Sequence, residues 1–231
     1  MVAGDQNDLI WMRPESRPVG RPAERSRAEI TTAAILLADQ EGLEAVSMRR
    51  VAAALGTGAA SLYRYVSTRD DLLDLMVDAV AVEYELPPPT GDWLADLVNV
   101  GRQACAIMRR HPWLPAIATT RPAIGPNALN LIEHILNVLA DHPADGPAKL
   151  EAIAMLNAVA AAYMQNELAQ RADSQTPHQA QLAQARYLQH VAGQGRHPRL
   201  AHALAVAAAE NNDQHRFDTI LARIMTGILR G

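Results

Sequence analysis

The sequence predicts an all-α protein of 231 residues, with a small N-terminal domain of three core helices and a larger C-terminal helical domain. Hydrophobic residues make up 49% of the chain, which is enough for a substantial core. Alternating runs of β-branched and aromatic residues, which predict strands, are almost absent, and aromatic residues make up only 4%. Apolar residues recur instead at helical spacing, so aliphatic and alanine side chains are expected to fill a core between helices.

Charge and cysteine content restrict the function classes. The formal net charge is −4, so binding to nucleic acid through bulk positive charge is not expected. Cys105 is the one cysteine of the sequence, which excludes a disulfide framework and fits a reducing cytoplasm. The N-terminus lacks the pattern of a signal peptide, and no run approaches the ~18 apolar residues of a membrane span. We expect a cytoplasmic protein without a membrane partner.

Residues 1–25 are predicted to form a flexible, basic arm. Prolines, glycine and charged residues dominate this segment, and its apolar residues show no regular spacing. Ile10 and Trp11 could dock on another part of the protein, but the sequence does not indicate where.

Four helices are predicted between residues 26 and 86, each bounded by residues that favour helix termini. The first begins with Ser26-x-x-Glu29, the pattern of a capping box, in which two otherwise unpaired amides are satisfied. Glycine in a left-handed conformation ends the first two helices, and proline stops the fourth. The helices begin near Ser26, Ser47, Ala59 and Thr68 and end near Gly42, Gly56, Val66 and Leu86. The run Pro87-Pro88-Pro89 is the expected domain boundary, so the domains are 26–86 and 90–231.

Six further helices are predicted after the proline run. Pro112 and Pro115 are expected to break the chain, and residues 172–178 are expected to form a loop. The predicted helices span about 92–110, 126–140, 147–169, 179–192, 198–210 and 214–229.

The second and third helices, joined by a glycine-containing turn, are predicted to form a helix-turn-helix. A major groove admits one helix, and a preceding helix braces it against the DNA backbone. Apolar residues fix the pair to the first helix, which leaves Ser61, Arg64 and Tyr65 facing outward and Tyr63 at the flank. An arginine can donate two hydrogen bonds to guanine or phosphate, and tyrosine hydroxyls suit phosphate oxygens.

Residues 26–80 resemble the DNA-binding domain of the tetracycline-repressor (TetR) family. The resemblance is carried by SMRRVAAALGTGAASLYRYVSTRDDLLDLM, especially LGTGAASLYRYV and the charged RDDLL that follows. It implies binding to a double-stranded DNA operator. The DNA contacts that it implies are Arg49, Ala60, Ser61, Tyr63, Arg64, Tyr65 and Arg69. Ala59, Ala60 and Arg64 depart from the founding members, so a different operator sequence is expected. The arm around Arg17 and Arg21 either enters the minor groove or is a solvated linker.

The resemblance extends more weakly beyond Pro89, where it implies an effector-binding and dimerisation domain. In the family, two late helices of each subunit form an intersubunit four-helix bundle, and the matching segments here are about 148–169 and 214–229. The candidate interface residues are Ala154, Ala158, Ala161, Phe217, Ile220, Ile224 and Ile228. Ordinary core packing is the alternative for each. A homodimer is also expected on physical grounds, because one short helix contacts few base pairs.

An unidentified small-molecule effector is expected to bind between the helices of residues 92–169, where apolar and sparse polar residues mix. The candidates are Met108, His111, Trp113, Arg121, His134, Asn157, Met164 and Gln165. Core packing is the alternative for the methionines, and a structural role is the alternative for His134. His190, His197 and His202 lack the close spacing of a metal site, so no metal and no cofactor are predicted.

These features together predict a ligand-responsive transcriptional regulator, a repressor as is common in the family. It would bind a palindromic operator as a homodimer and be released by the effector. The alternatives are a helical enzyme or a protein-interaction module with an incidental helix-turn-helix. An enzyme is not expected, because no nucleophile with a base and no ligand-spaced carboxylates and histidines are found.

Overall fold

The computed structural model describes residues 9–14, 25–121, 124–172, 177–209 and 216–230, and within them it contains α-helices but no strand. The prediction of an all-α fold with an N-terminal helix-turn-helix and a larger C-terminal helical part is confirmed. The helices are α1 (Arg27–Glu41), α2 (Met48–Ala54), α3 (Ala59–Leu62), α4 (Arg69–Ala81), α5 (Trp93–Arg110), α6 (Leu114–Ala118), α7 (Pro126–Val138), α8 (Gly146–Ala172), α9 (Pro177–Gly193), α10 (Pro198–Ala209) and α11 (Arg216–Leu229).

Helices α1 to α4 form the N-terminal unit. The capping box at the start of α1 is present: the Glu29 amide donates to Ser26 Oγ at 3.1 Å, and the Ser26 amide donates to Glu29 Oε2 at 2.8 Å. Helix α1 packs on α2 and α4. Ile30, Val51 and Leu62 are fully buried in the core between these helices.

Helix α8 is the central element of the C-terminal part, because α5, α6, α7 and α11 all pack against it. Gly101 permits the close approach of α5 and α11. A Cβ at this position would collide with Leu221 Cδ2 and would lie 3.2 Å from the ring of Phe217. Helices α9 and α10 pack on each other.

Three helix predictions differ from the structure. The fourth helix was expected to end near Leu86, but α4 ends at Ala81, before the proline run. The third helix was expected over 59–66, but α3 ends at Leu62 and a turn follows. Helix α6 was not predicted, because Pro115 was taken to break the chain. Pro115 lies in the first turn of α6, where its missing N–H costs no intrahelical hydrogen bond. Of the loop predicted at 172–178, Ala172 and residues 177–178 are helical, and 173–176 lie outside the described residues.

The expectation of a flexible arm does not hold for residues 9–14. They form a short 3₁₀ turn in which Ile10 is 2% exposed. The Arg13 guanidinium forms an ion pair with Asp71, with 2.6 Å between Nη2 and Oδ1. Arg27 of α1 donates to the Arg13 carbonyl oxygen at 2.9 Å. The predicted minor-groove segment around Arg17 and Arg21 lies outside the described residues.

Candidate nucleic-acid interface and effector cavity

The turn between α2 and α3 has the hydrogen bonds of a Schellman motif. Gly56 has φ +65°, a left-handed conformation that glycine adopts without strain. The Gly56 amide donates to the Ala53 carbonyl at 3.1 Å, and the Thr57 amide donates to the Ala52 carbonyl at 2.9 Å. These bonds end α2 abruptly, so α3 starts in a new direction.

The surface around α3 presents the polar side chains that the sequence placed there. Ala60 and Arg64 are exposed, Ser61 is half-buried, and Tyr63 is 51% exposed. Arg64 Nη2 donates to Ser61 Oγ at 3.1 Å, which holds the guanidinium beside α3. Arg49 is exposed on α2. We call Arg49, Ala60, Ser61, Tyr63 and Arg64 the recognition surface; its guanidinium and phenol groups can donate hydrogen bonds to phosphates or base edges.

The expectation that Tyr65 faces outward is wrong, because its side chain is only 5% exposed and belongs to the core. Tyr65 follows the buried Leu62 by three residues, and side chains at that spacing lie on the same side of a helical turn. Arg69 is exposed, as expected of a phosphate anchor. Its Nε donates to the Val46 carbonyl at 2.9 Å, so it also fixes the start of α4 to the loop before α2.

A cavity of about 620 Å³, the main cavity, lies between the end of α6, α7 and α8. Its wall is largely aliphatic, with polar groups from the α6 end and α8. Burial raises the pKa of the Tyr84 phenol above its usual value, so the polar group that it adds to the wall is a neutral hydroxyl. The lining residues are Tyr84, Ala118, Thr119, Thr120, Arg121, Ile124, Ala128, Leu131, Ile132, Ile135, Leu150, Ile153, Ala154, Leu156, Asn157 and Ala158.

Two of the predicted effector residues, Arg121 and Asn157, line the main cavity. The Asn157 side chain donates to the Ala118 carbonyl at 2.8 Å, which joins α8 to the end of α6. The other candidates lie outside the lining. Met108 and Met164 are buried in the core, His134 is half-buried on α7, and Gln165 donates to a backbone carbonyl at 2.9 Å.

His111 and Trp113 belong to a polar cluster that connects α1 with the end of α5, not to the main cavity. His111 Nδ1 lies 2.8 Å from Asp39 Oδ1, and Nε2 lies 2.7 Å from Glu83 Oε1. Trp113 Nε1 donates to the same Asp39 oxygen at 2.7 Å. Desolvation opposes ionisation of Glu83, but the hydrogen bonds from His111 and Arg110 lower its pKa. Both predicted effector residues therefore fix helices to one another.

Sequence analysis missed a row of carboxylates on α4. Asp70, Asp74 and Asp78 are spaced by four residues, which places them on one helix face. Arg121 forms ion pairs with Asp70 and with Asp74, the latter at 2.6 Å between Nη1 and Oδ1. The i, i+4, i+8 spacing was visible in the sequence, but the partner on the cavity wall was not.

The third carboxylate of this row caps α7. Asp78 is 4% exposed and its Oδ1 accepts hydrogen bonds from the Asn127 amide at 3.0 Å and the Ala128 amide at 2.9 Å. Gly125 leaves room for this contact, because a Cβ there would collide with Asp78. Two walls of the main cavity, Arg121 and the start of α7, are thus attached to α4.

The predicted interface residues divide into three groups. Ala161 and Phe217 are buried within the single chain, so as interface residues they are corrected to core residues; Phe217 packs on Tyr163. Ala154 and Ala158 line the main cavity. The α11 isoleucines are also partly exposed, with Ile220 at 36% and Ile224 and Ile228 intermediate.

The described residues contain neither a metal-binding cluster nor a membrane-spanning helix. No set of three or more His, Cys, Asp or Glu side chains among them is arranged to hold a metal ion. Over the same ranges, no helix has the length and apolar character needed to cross a membrane.

Comparison with known proteins gives a consistent family assignment. Residues 30–76 match the family model for bacterial regulatory proteins of the tetR family, and residues 87–230 match the tetracyclin repressor-like C-terminal domain. The HTH-type transcriptional repressor DrrR1 of Streptomyces coeruleorubidus is 35% identical over 227 residues, which cover 96% of this chain and 83% of that protein. An HTH-type transcriptional regulator of Saccharopolyspora erythraea is 40% identical over 132 residues, 57% of this chain and 56% of that protein.

A solved structure extends the similarity to the whole fold. The TetR family protein ActR of Streptomyces coelicolor, in complex with actinorhodin, aligns with a TM-score of 0.74 and 30% identity. The alignment covers 90% of this chain and 97% of ActR. ActR has also been solved in complex with (S)-DNPA, with a TM-score of 0.71 and 29% identity over 90% of this chain and 98% of ActR.

Proposed function

This chain belongs to the tetracycline-repressor (TetR) family of bacterial transcriptional regulators, and we propose that it is a ligand-responsive repressor. In this proposal it binds a palindromic operator as a homodimer and a small organic effector releases it. The relatives that match it are transcriptional regulators, which supports this function over the enzyme and protein-interaction alternatives.

The observation that carries the DNA-binding proposal is the recognition surface. The turn at Gly56 sets the direction of α3, and the buried Leu62 fixes α3 to the core. Tyr63 and Arg64 directly follow α3 and are exposed. Arg49 of α2 adds a second exposed guanidinium. Side chains of this kind supply both phosphate contacts and base contacts in a major groove.

Dimerisation is proposed through the outer face of α11 together with α8. Ile220, Ile224 and Ile228 give α11 a partly exposed apolar stripe, which a second copy of the chain can cover. A twofold axis would then place two recognition surfaces about 34–36 Å apart, the spacing of successive major grooves on one side of a duplex.

The main cavity is the proposed effector site. Its volume of about 620 Å³ is within the range of small-molecule sites, and an aliphatic wall with a few polar groups suits an organic ligand. The solved complexes of the TetR family protein ActR with two ligands support a ligand-binding role for this chain.

The attachment of the cavity wall to α4 provides a route from ligand to DNA. Arg121 and the α7 N-terminus contact the α4 carboxylates, and α4 follows the recognition surface directly in the chain. An effector that moves this wall would shift α4 and so change the separation of the two recognition surfaces. A bias of ~1–3 kcal/mol between two arrangements is enough for regulation.

A gel-shift experiment tests the proposal. The protein is titrated onto the DNA upstream of its own gene at physiological salt, and saturable binding is expected. Compounds that raise its thermal stability in a screen are then added, and at least one is expected to release the DNA. Absence of saturable binding to this DNA and to a randomised duplex library would contradict DNA binding, and stabilising ligands that never alter DNA affinity would contradict effector control.

A further inference from the structure

A second, smaller cavity of about 410 Å³ adjoins the main cavity, and we call it the annex. Residues of the N-terminal segment form one side of it, and α4 and the end of α6 form the other. Its lining is Leu9, Trp11, Asp74, Thr120, Arg121 and Ile124. Thr120, Arg121 and Ile124 also line the main cavity, so the two spaces share a wall.

The annex has excess negative charge. Arg121 carries one positive charge and is paired with two carboxylates, Asp70 and Asp74. Asp74 uses Oδ1 for this ion pair, and no donor among the described residues reaches its Oδ2. The Asp74 side chain is 30% exposed, so its carboxylate is accessible from the annex. One additional positive charge would balance the group.

The opposite side of the annex is aromatic and apolar. Trp11 and Leu9 are positioned by their neighbours, because Ile10 is buried and Arg13 is paired with Asp71. The Trp11 ring packs near Gly125, so it lies between the N-terminal segment and the start of α7. An aromatic ring together with a carboxylate is a chemical environment that favours an organic cation over a neutral or anionic group.

We propose that the annex binds the protonated amine of an effector whose apolar body occupies the main cavity. This inference rests on the proposed effector site and names the chemical class of its ligand: an apolar ring system carrying a basic amine. The Asp74 carboxylate pairs with the ammonium group, and Trp11 covers it. Neutral and anionic compounds of the same shape bind more weakly, because they leave the excess negative charge unbalanced.

A pair of probes with nearly the same shape tests the charge preference. The probes are 9-(aminomethyl)anthracene, which is protonated at neutral pH, and 9-anthracenemethanol, which is neutral. Their affinities are measured by anthracene fluorescence anisotropy on the full chain. The amine is expected to bind about fivefold more tightly than the alcohol, and the preference is expected to shrink as salt is added.

Variants of the two carboxylates assign the preference to the annex. Asp74→Asn is expected to abolish it, because the asparagine side chain carries no charge to pair with the ammonium group. Asp70→Asn is the matched control. It removes the same charge from a carboxylate that pairs with the same Arg121, but Asp70 does not line the annex. The Asp70 side chain is 75% exposed, so solvent screens its charge, and that variant is expected to retain most of the preference. Trp11→Leu is expected to reduce it, and thermal melting confirms that each variant is folded.

Equal affinities of the two probes for the unmodified protein, or a preference that survives in Asp74→Asn, would overturn the inference. So would failure of both probes to bind. These outcomes are distinguishable from failure of the proposed function, which is measured separately as binding of the protein to DNA without any probe.

Discussion

At the residue scale, Arg64 is the side chain whose replacement tests the recognition surface most directly. It is exposed, and its hydrogen bond to Ser61 holds it beside α3. If it contacts a base, Arg64→Ala is expected to cost ~1–3 kcal/mol in operator binding, measured by gel-shift titration.

The control for this variant is Arg50→Ala. Arg50 is an exposed arginine one residue from Arg49, but its guanidinium is paired with Glu41 at 2.6 Å. We expect a smaller effect on DNA binding there and no change of oligomeric state in either variant. Unchanged operator affinity in Arg64→Ala would remove Arg64 from the recognition surface.

Cys105 gives a second residue-scale prediction, about reactivity. It is 3% exposed, and burial raises the pKa of its thiol to about 12, far above the usual range. Because the thiolate is the reactive form, iodoacetamide at pH 8 is expected to leave Cys105 unmodified in the folded protein and to modify it fully after unfolding. Mass spectrometry measures the outcome, and rapid labelling of the folded protein would contradict it.

Single residues also show what the sequence can and cannot specify. Helical spacing correctly predicted that Tyr63 and Arg64 are exposed and that Leu62 is buried. Tyr65 was expected to face outward, but it lies three residues after the buried Leu62 and is buried with it. Helical spacing failed for His111, whose acidic partner Asp39 is distant in sequence.

At the element scale, the contact of α5 with α11 depends on Gly101. In Gly101→Ala the new methyl group would collide with Leu221 and crowd Phe217, so we expect a loss of ~1–3 kcal/mol in the free energy of unfolding. Chemical denaturation measures it. Gly146→Ala is the control: nothing lies within 4 Å of its Cβ position at the start of α8, so this variant should be neutral or slightly stabilising.

The cap of α7 by Asp78 gives a prediction about coupling. Asp78→Ala removes the acceptor of buried amides, so a loss of ~1–3 kcal/mol in stability is expected. The effector should then release DNA less effectively, because α7 loses its hydrogen bonds to α4.

Asp92→Ala is the comparison for this variant. Asp92 caps α5 by accepting from the Ala95 amide at 3.0 Å, but that contact is exposed and local to α5. It should lower stability without changing effector response, as measured by operator titrations with and without the effector. Equal effector responses in both variants would contradict the role of Asp78.

Capping and breaking signals predicted most helices to within a few residues, and the reason is local chemistry. The capping box at Ser26 and the glycine at 56 act on neighbouring backbone groups. Helix α6 was missed because a proline is compatible with a first turn as well as with a break. The contacts between helices needed the structure.

At the scale of the whole molecule, the proposed dimer depends on the partly exposed face of α11. Ile220→Asp places a charge in the apolar stripe and is expected to convert the dimer to a monomer, with weaker operator binding as a consequence. Sedimentation equilibrium measures the mass. Leu36→Asp is the control, because Leu36 is 54% exposed on α1, away from α11. A monomeric unmodified protein, or a dimeric Ile220→Asp variant, would contradict the assigned interface.

The lining of the main cavity and its attachment to α4 could not be predicted from the sequence. Six of the eight predicted effector residues do not line the main cavity, because apolar and polar residues at helical spacing occur equally in cores and in binding sites. Arg121 and Asn157 were identified, but the ion pairs of Arg121 with α4 join residues about fifty positions apart. Only tertiary structure brings such residues together.

In the proposed complex, the paired helix-turn-helix units of two copies of this chain bind one face of a DNA duplex. Hydroxyl-radical footprinting on an operator selected from a randomised duplex library tests it most directly. We predict two equivalent protected half-sites, about one helical turn apart and related by a twofold axis, which disappear when an effector is added. A single asymmetric footprint, or no protection at physiological salt, would contradict the claim.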